Sequence, residues 1–380
     1  MPKRLTLNLK SLMNKAQETV LEIDLKALKH NFKFLKSKLS GNTKFLAVVK
    51  AFAYGSDAVE VAKYLQQLDV DYFAVAYTYE GVALRDAGIT TPILVLHPQP
   101  VSFDDIITRC LEPSLYSQRV LDLFIASAET HKQHNYPVHL KFNTGLNRLG
   151  FGLEDISKIV ETVSKTEAVH ITSLFSHLAE SEVLDDKVFT ESQIKLFTTI
   201  YKQVYAKLDY KPFLHLCNTS GIINYPEAHF DMVRSGIGLN GFGNDPNVNK
   251  HLKPIAALKT NISQIHHIKK GESLGYNRAF IAQTDTKTAT LPIGHADGIK
   301  RQYGNSNGFV TINNQKAYIL GNVCMDMIMV DITSINCNEG DEVIVFNDQH
   351  TAETLAEKVQ SISYELITAI SQRVKRVFRR

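Results

Sequence analysis

The sequence has little cysteine and no long apolar run. Its cysteines, Cys110, Cys217, Cys324 and Cys337, form no CxxC pair, which argues against a zinc site and against a disulfide framework. No run approaches the roughly 20 apolar residues that a membrane span needs. The opening MPKRLTLNLKSLMNKAQ lacks an apolar segment of signal-peptide length. From these absences we expect a soluble protein of the reducing cytoplasm with no membrane partner.

An excess of charge is also missing, because 42 Lys and Arg residues nearly balance 39 Asp and Glu residues, for a net charge of +3. A nucleic-acid binder would carry a broad basic field, so we expect no nucleic-acid partner. The closing RVKRVFRR is the local exception, and a solvated strand or tail is the simpler interpretation of it. With 380 residues, 44% of them hydrophobic, the chain can form two domains with cores of their own.

Eight apolar, β-branched runs alternate with segments of helical periodicity. The runs are FLAVVKA (45–51), DYFAVA (71–76), PILVL (92–96), PSLYS (113–117), PVHLKFN (137–143), HITSLFSHL (170–178), FLHLCN (213–218) and HFDMVRSG (229–236). This alternation predicts a (β/α)8 barrel, although the fourth run and the short helical space at 220–227 are weak. The alternative, a doubly wound sheet, lacks its glycine-rich phosphate fingerprint after the first strand.

A different sequence pattern begins after about Pro254. Short runs with period-two alternation are separated by turn signals such as KKGE and YGNSNG, which predicts a mostly antiparallel β-domain. Near the end, TAETLAEKVQSISYELITAI predicts one helix.

Chemistry in a barrel enzyme lies at the carboxyl ends of the strands. The polar residues expected there are Lys50, Tyr54, Lys141, Asn143, His177, Asn218, Thr219, Arg234, Ser235 and Gly236. Asp231 is the one carboxylate, so a metal-hydrolase site is poorly supported, whereas cations and hydroxyls suit an anionic ligand. Taken alone, Lys50 has two interpretations: a lysine that extends to solvent, or a desolvated amine with a lowered pKa that attacks carbonyls.

Several motifs, in order along the chain, resemble the alanine racemase family of pyridoxal phosphate barrel enzymes. They are AVVKAFAYG, LKFNTGLNRLGF, FSHLAES, LHLCNTSG, MVRSGIGLNG, GYNRAF, LPIGHADG and GNVCMDMIMVDI. The resemblance implies a barrel over residues 26–253, a β-domain over 254–380, and an N-terminal extension over 1–25 whose VLEID joins the β-domain as a strand. It also implies a homodimer with shared active sites that supplies D-alanine for peptidoglycan.

The resemblance assigns the proton chemistry to three residues. Lys50 matches the lysine that holds pyridoxal 5'-phosphate as an aldimine and later acts as a base. Tyr276 matches the base on the opposite face, which the second subunit contributes. Arg234 matches the arginine at the pyridine nitrogen, and because guanidinium does not readily give up a proton, the electron sink is weakened and transamination suppressed.

The remaining roles concern binding. The resemblance gives the phosphate to Tyr54, Thr219, Tyr364 and the backbone amides of Gly236 and Ile237. It places His177 and Arg148 around the catalytic tyrosine, makes Lys141 a lysine that many members carry as a carbamate, and puts Met325 and Asp326 at the substrate entrance. No metal is implied.

The sequence departs from the family pattern around these motifs. Phe52, Ser56 and Asp57 replace customary residues after Lys50, and His295 stands where many members have a tyrosine. These changes keep a broader amino-acid racemase, acting for example on serine, as an alternative. A related barrel decarboxylase is disfavoured by Arg234. A cofactor carrier without turnover is disfavoured by the long second domain that holds Tyr276.

Overall fold

The computed structural model describes residues 18–243 and 245–380, so the expectations for residues 1–17 lie outside the described residues. The described chain divides into two units. The first unit is Lys26–Lys253, and the second unit combines residues 18–25 with Pro254–Arg380. In the described residues, no helix has both the length and the apolar character needed to cross a membrane.

The unit Lys26–Lys253 contains a closed barrel of eight parallel strands, which confirms the predicted fold class. The strands are Lys44–Val48, Tyr72–Val75, Ile93–Val95, Glu112–Leu115, Tyr136–Lys141, Val169–Phe175, Phe213–His215 and Met232–Ser235. We number them first to eighth. The weak fourth run is therefore a strand, and the first and eighth strands pair to close the barrel.

Helices connect the barrel strands along the chain, as the alternation in the sequence predicted. They are Leu25–Lys36, Ala58–Gln66, Thr78–Asp86, Phe103–Thr108, Gln118–Thr130, Ile156–Val163, Val188–Tyr205, Thr219–Asn224 and Pro246–Asn249. Several begin at a polar side chain that accepts from the free backbone N–H groups of the first turn, as Ser117 and Asn218 do. The helix in the short space near 220 has a single turn and a half.

Apolar side chains form part of the barrel filling below its carboxyl end. Leu46, Tyr72, Ala74, Leu94 and Met232 form one buried cluster. Strands buried on both faces need apolar residues at nearly every position, which is why the runs read as continuous. The polar residues that the sequence singled out lie mainly where the strands end, while His139 and Ser173 are buried within strands.

The second unit is built on a nine-stranded sheet. In spatial order its strands are Gln264–Ile268, Thr286–Leu291, Ile328–Asp331, Gln315–Leu320, Phe309–Ile312, Glu342–Phe346, Ala256–Asn261, Val20–Asp24 and Lys375–Arg379. Neighbours pair antiparallel except for the last two, which run parallel. A separate hairpin pairs Ser273–Leu274 with Phe280–Ile281.

The predicted single helix near the end is wrong, because the structure has two, Gln349–Lys358 and Ser363–Thr368. Gln360 takes a φ of 53°. The N–H of Ser361 donates to the Ala356 carbonyl and that of Gln360 to the Glu357 carbonyl, a Schellman arrangement that ends a helix. A left-handed glutamine supplies this stop, where sequence patterns look for glycine.

Candidate active site

Four cations and a histidine meet at the carboxyl end of the barrel. Lys50 follows the first strand, Lys141 ends the fifth, His177 follows the sixth and Arg234 lies in the eighth, while Arg148 stands on the loop after the fifth. Burial lowers the pKa of His177 well below its usual value, and the charges of the other four residues lower it further. The structure therefore brings together these five residues that the sequence singled out.

Lys50 does not belong to the strand that the sequence assigned it to. The first strand ends at Val48, and Lys50 precedes four consecutive residues with positive φ: Ala51 at 52°, Phe52 at 61°, Ala53 at 50° and Tyr54 at 56°. We call residues 51–54 the left-handed turn. Such a conformation costs about 1–2 kcal/mol for each residue with a side chain, so the rest of the barrel must hold it in place.

The surroundings of the Lys50 amine disfavour its charged form. Burial lowers its pKa below the ordinary 10.5, the charge of Arg148 lowers it further, and the charge of Glu80 opposes this effect. A neutral amine is the form that attacks a carbonyl carbon or takes a proton. This finding favours the second interpretation of Lys50, a reactive amine.

Lys141 is buried among positive charges. Burial lowers its pKa to about 8, with further contributions from Arg148, Arg234 and Lys50. Arg148 itself lies on an exposed loop that Asn143 holds, because the Asn143 Oδ1 accepts from the N–H groups of Gly145 at 3.2 Å and Asn147 at 2.9 Å.

Arg234 is held almost entirely inside the barrel wall. It is 4% exposed. One nitrogen, Nη2, donates to the carbonyls of Ser176 at 2.6 Å and Leu216 at 2.9 Å, and burial lowers the Arg234 pKa to about 10. Within residues 18–243 and 245–380, we find no hydrogen-bond partner for its Nε–H, so this N–H is among the donors that Arg234 can offer to a ligand.

Two histidines accept hydrogen bonds from Arg234. The Nδ1 of His215 lies 2.6 Å from Nη1, and the Nδ1 of His177 lies 3.2 Å from Nη2. Arginine only donates, so both Nδ1 atoms are acceptors. Burial, followed by the Arg234 charge, lowers the pKa of both imidazoles well below the usual value. Both rings are therefore neutral, with the proton on Nε2.

Hydroxyls and close backbone occupy the other side of the barrel mouth. Thr219 Oγ1 and Ser235 Oγ lie 3.0 Å apart, and the N–H of Gly238 lies 3.3 Å from Thr219 Oγ1. A β-carbon at Gly236 would overlap the Tyr54 hydroxyl, so only glycine lets this hydroxyl approach the backbone so closely. Ile237 is buried beside it. Hydroxyls and backbone N–H groups of this kind suit a phosphate.

The remaining predicted residues lie in the second unit. Tyr276 opens a 3₁₀ turn, Tyr276–Arg278, and is 72% exposed; its carbonyl accepts from the Asn322 Nδ2 at 3.1 Å. Tyr364 lies in the first turn of the helix Ser363–Thr368. The exposed Tyr276 side chain is available to a ligand or to another protein surface.

Met325 and Asp326 lie on a loop of the second unit that is fastened at both residues. The Met325 carbonyl accepts from the N–H of Ala296 at 3.0 Å. Arg373 bridges the loop to a buried acid, with Nη2 at 2.6 Å from Asp326 Oδ1 and Nε at 2.7 Å from Asp297 Oδ1. His295, one of the departures from the family pattern, is exposed on the neighbouring turn. Among the described residues, no group of His, Cys, Asp or Glu side chains is arranged to hold a metal ion.

The sequence missed the residues that support this site. Glu80 contacts the left-handed turn. A buried series runs from Arg234 through His215, Ser173 and His139 to Glu112, with adjacent atoms 2.6 to 2.9 Å apart. The one available signal was histidine in apolar runs, in PVHLKFN and FLHLCN.

Comparison with known proteins identifies the family. Sequence models of the alanine racemase N-terminal domain and the alanine racemase C-terminal domain match residues 23–243 and 255–378. The alanine racemase of Carboxydothermus hydrogenoformans is 35% identical over 366 residues, which cover 94% of this chain and 98% of that protein. This chain belongs to the alanine racemase family. The family resemblance of the motifs is thus confirmed, and the enzyme is an amino-acid racemase.

Solved structures agree with this racemase assignment. The alanine racemase of Clostridium difficile 630 superposes with a TM-score of 0.88 at 35% identity, covering 95% of this chain and 96% of that one. The alanine racemase of Bartonella henselae, a structure with covalently bound pyridoxal phosphate, superposes with a TM-score of 0.85 at 26% identity, covering 95% and 99%. A carrier without the second domain does not fit a racemase chain that contains both family domains.

Proposed function

We propose that the protein interconverts L-alanine and D-alanine with pyridoxal 5'-phosphate as its cofactor. The observation that carries the proposal is the Lys50 amine, with its lowered pKa, in a cluster of cations beside hydroxyl and glycine backbone donors. The donors suit the phosphate, the amine suits the aldehyde, and Arg234 offers a donor to the pyridine nitrogen. The residues present therefore fit this cofactor.

The binding roles follow from the same chemistry. Tyr54, Thr219 and Tyr364, with the N–H groups of Gly236 and Ile237, would hold the phosphate. Arg234 would donate to the pyridine nitrogen and leave it unprotonated, because guanidinium keeps its proton. When bound, the cofactor supplies an electron sink that acidifies the Cα proton of the amino acid.

Racemisation then needs one base on each face of the substrate. Lys50, as a neutral amine, would move the Cα proton on one face. Tyr276 would do so on the other, with His177 and Arg148 near its hydroxyl. Met325 and Asp326 would lie at the substrate entrance, where the Met325 amide would meet the substrate carboxylate. Since Tyr276 lies in the second unit and is exposed, we propose that a second subunit supplies it, in a cytoplasmic homodimer that makes D-alanine for peptidoglycan.

Lys141 is proposed to carry a carbamate. Carbon dioxide reacts with neutral amines, and a pKa lowered to about 8 leaves an appreciable neutral fraction at physiological pH. The product would be an anion among Arg148, Arg234 and Lys50, where it could orient Arg148. Enrichment with carbon-13 bicarbonate would give a carbamate NMR signal that Lys141→Met removes.

Solvent deuterium exchange at alanine Cα tests the function directly. Purified protein with pyridoxal 5'-phosphate should wash deuterium into both enantiomers of alanine and convert each into the other. Absence of exchange in protein that binds the cofactor would contradict the proposal. The same assay on serine and lysine tests the broader racemase, which His295 and Arg278, both exposed in the second unit, would favour by meeting a more polar substrate.

A further inference from the structure

The left-handed turn follows Lys50 directly and ends at Tyr54, and the proposed function requires both of these residues. Its helical hydrogen bonds are intact, since the Ala53 N–H donates to the Val49 carbonyl and the Gly55 N–H to the Ala51 carbonyl, both at 2.9 Å. Residues with a β-carbon visit this conformation singly and rarely in succession. Strained backbone of this kind persists only where its surroundings over-determine it.

The Glu80 carboxylate contacts the first residue of this turn, Ala51. Its Oε1 accepts from the Ala51 N–H at 2.7 Å. Its Oε2 accepts from the N–H groups of Ala76 at 2.7 Å and Tyr77 at 3.0 Å, directly after the second barrel strand. Glu80 itself stands in the first turn of the helix Thr78–Asp86. One carboxylate thus ties the left-handed turn to the strand beside it.

We propose that Glu80 is a positioning residue that fixes the left-handed turn and thereby sets the places of Lys50 and Tyr54 for the cofactor. The inference rests on the proposed function for its consequence, but the contact itself joins only atoms of this chain. A carboxylate is required because both oxygens accept from backbone N–H groups. A glutamine has one acceptor oxygen, so its NH₂ group would face a donor in either orientation.

The charge of Glu80 has a second effect on the same amine. It opposes the lowering of the Lys50 pKa by burial and by Arg148. Without this charge the Lys50 amine would lose its proton at a lower pH, because the remaining influences all disfavour the charged form. Position and charge can be separated, since aspartate keeps the charge but is one methylene too short to span both partners.

The test compares Glu80→Gln and Glu80→Asp with wild type. Amide hydrogen exchange of the cofactor-free protein is measured at Ala51, Ala53 and Gly55, followed by titration with pyridoxal 5'-phosphate and borohydride trapping. We expect both variants to exchange these amides faster and to bind the cofactor roughly tenfold more weakly. The matched control is Glu60→Gln, which removes a carboxylate that pairs with Lys63 at the surface and should behave as wild type.

The outcomes separate this proposal from the proposed function. Wild-type exchange and wild-type cofactor affinity in Glu80→Gln would overturn the positioning role. Loss in Glu80→Gln with full retention in Glu80→Asp would also overturn it, because charge alone would then suffice. If wild type itself fails to bind the cofactor, the proposed function falls, while the amide exchange of residues 51–55 still decides whether Glu80 holds the turn.

Discussion

Arg234 begins a series of buried hydrogen bonds whose direction is fixed by chemistry. Arginine can only donate, so His215 accepts at Nδ1 and donates from Nε2 to Ser173, 2.9 Å away. Ser173 then donates to His139 Nδ1, and His139 donates from Nε2 to Glu112, each at 2.6 Å. Every hydrogen bond in the series is therefore donated in the direction of the Glu112 carboxylate. Each imidazole is locked in one tautomer by partners on both sides.

Removing a member from the middle of this series should therefore cost stability. His139→Leu would leave the Ser173 hydroxyl and the Glu112 carboxylate without that partner in the barrel interior, and we expect the free energy of unfolding to fall by about 2 kcal/mol or more. Urea denaturation followed by circular dichroism measures this change. The control is His134→Leu, at an exposed histidine 3.9 Å from Glu167, which should change stability by no more than ~0.5 kcal/mol.

The lowered pKa of Lys141 predicts that stability depends on pH. Its pKa is lowered to about 8 in the native protein, against 10.5 ordinarily. Between these values the unfolded chain holds the proton and the native state does not, so stability rises with pH. Lys141→Met removes this contribution. The free energy of unfolding of wild type should therefore rise relative to that of Lys141→Met by up to ~3 kcal/mol from about pH 7 to about pH 10.

Denaturation of cofactor-free protein in carbon dioxide-free buffer at several pH values measures the difference. Carbon dioxide must be excluded because a carbamate would remove the titrating amine. A gap between wild type and Lys141→Met that does not vary with pH would mean that the native Lys141 titrates normally.

At the scale of residues, sequence motifs point to residues that meet at the barrel mouth. They do not point to the residues that hold those side chains in place. Lys50 and Arg234 stand in recognisable segments. Glu80 looks like an ordinary acid in the first turn of a helix, and its bond to Ala51 spans 29 residues. Such a contact depends on the barrel bringing neighbouring strands together, which no local pattern encodes.

Among the elements, the strands were predicted well and the segment after Lys50 was not. Parallel strands buried on both faces give apolar runs that stand out in a sequence. The left-handed turn has no such mark, because KAFAY is made of residues that favour ordinary helix or strand. The C-terminal helix was misjudged for the same reason, since a left-handed Gln360 ends it.

One departure from the family pattern has a local explanation. Asp57 is the N-cap of the helix Ala58–Gln66, and its Oδ1 accepts from the N–H groups of Val59 at 2.9 Å and Glu60 at 3.0 Å. Asp57→Ala should lower the free energy of unfolding by about 1 kcal/mol, whereas Asp57→Asn should retain most of it, because asparagine caps as well as aspartate. Thermal and urea denaturation would show this, and equal losses in both variants would point away from capping.

For the whole molecule, a shared active site predicts complementation. Lys50→Ala and Tyr276→Phe should each be inactive or nearly so as homodimers. If one subunit supplies Lys50 and the other Tyr276, a mixed dimer contains one site with both residues intact. Refolding the two variants together at equal amounts should then restore about a quarter of the wild-type activity, since half of the dimers are mixed and each has one working site.

Activity of the mixture that equals the sum of the separate variants would show that each site is built within one chain. Sedimentation of the wild type provides the control, because an active monomer would contradict the same proposal.

The sheet of the second unit pairs Val20–Asp24 with Lys375–Arg379 in parallel, and the entire barrel sequence lies between them. During synthesis the earlier strand leaves the ribosome well before its later partner exists. Its backbone N–H and C=O groups on that side have no strand to bond until the barrel has been made. A nascent chain stalled inside the second unit would therefore carry an open sheet edge, the feature that most readily recruits another chain.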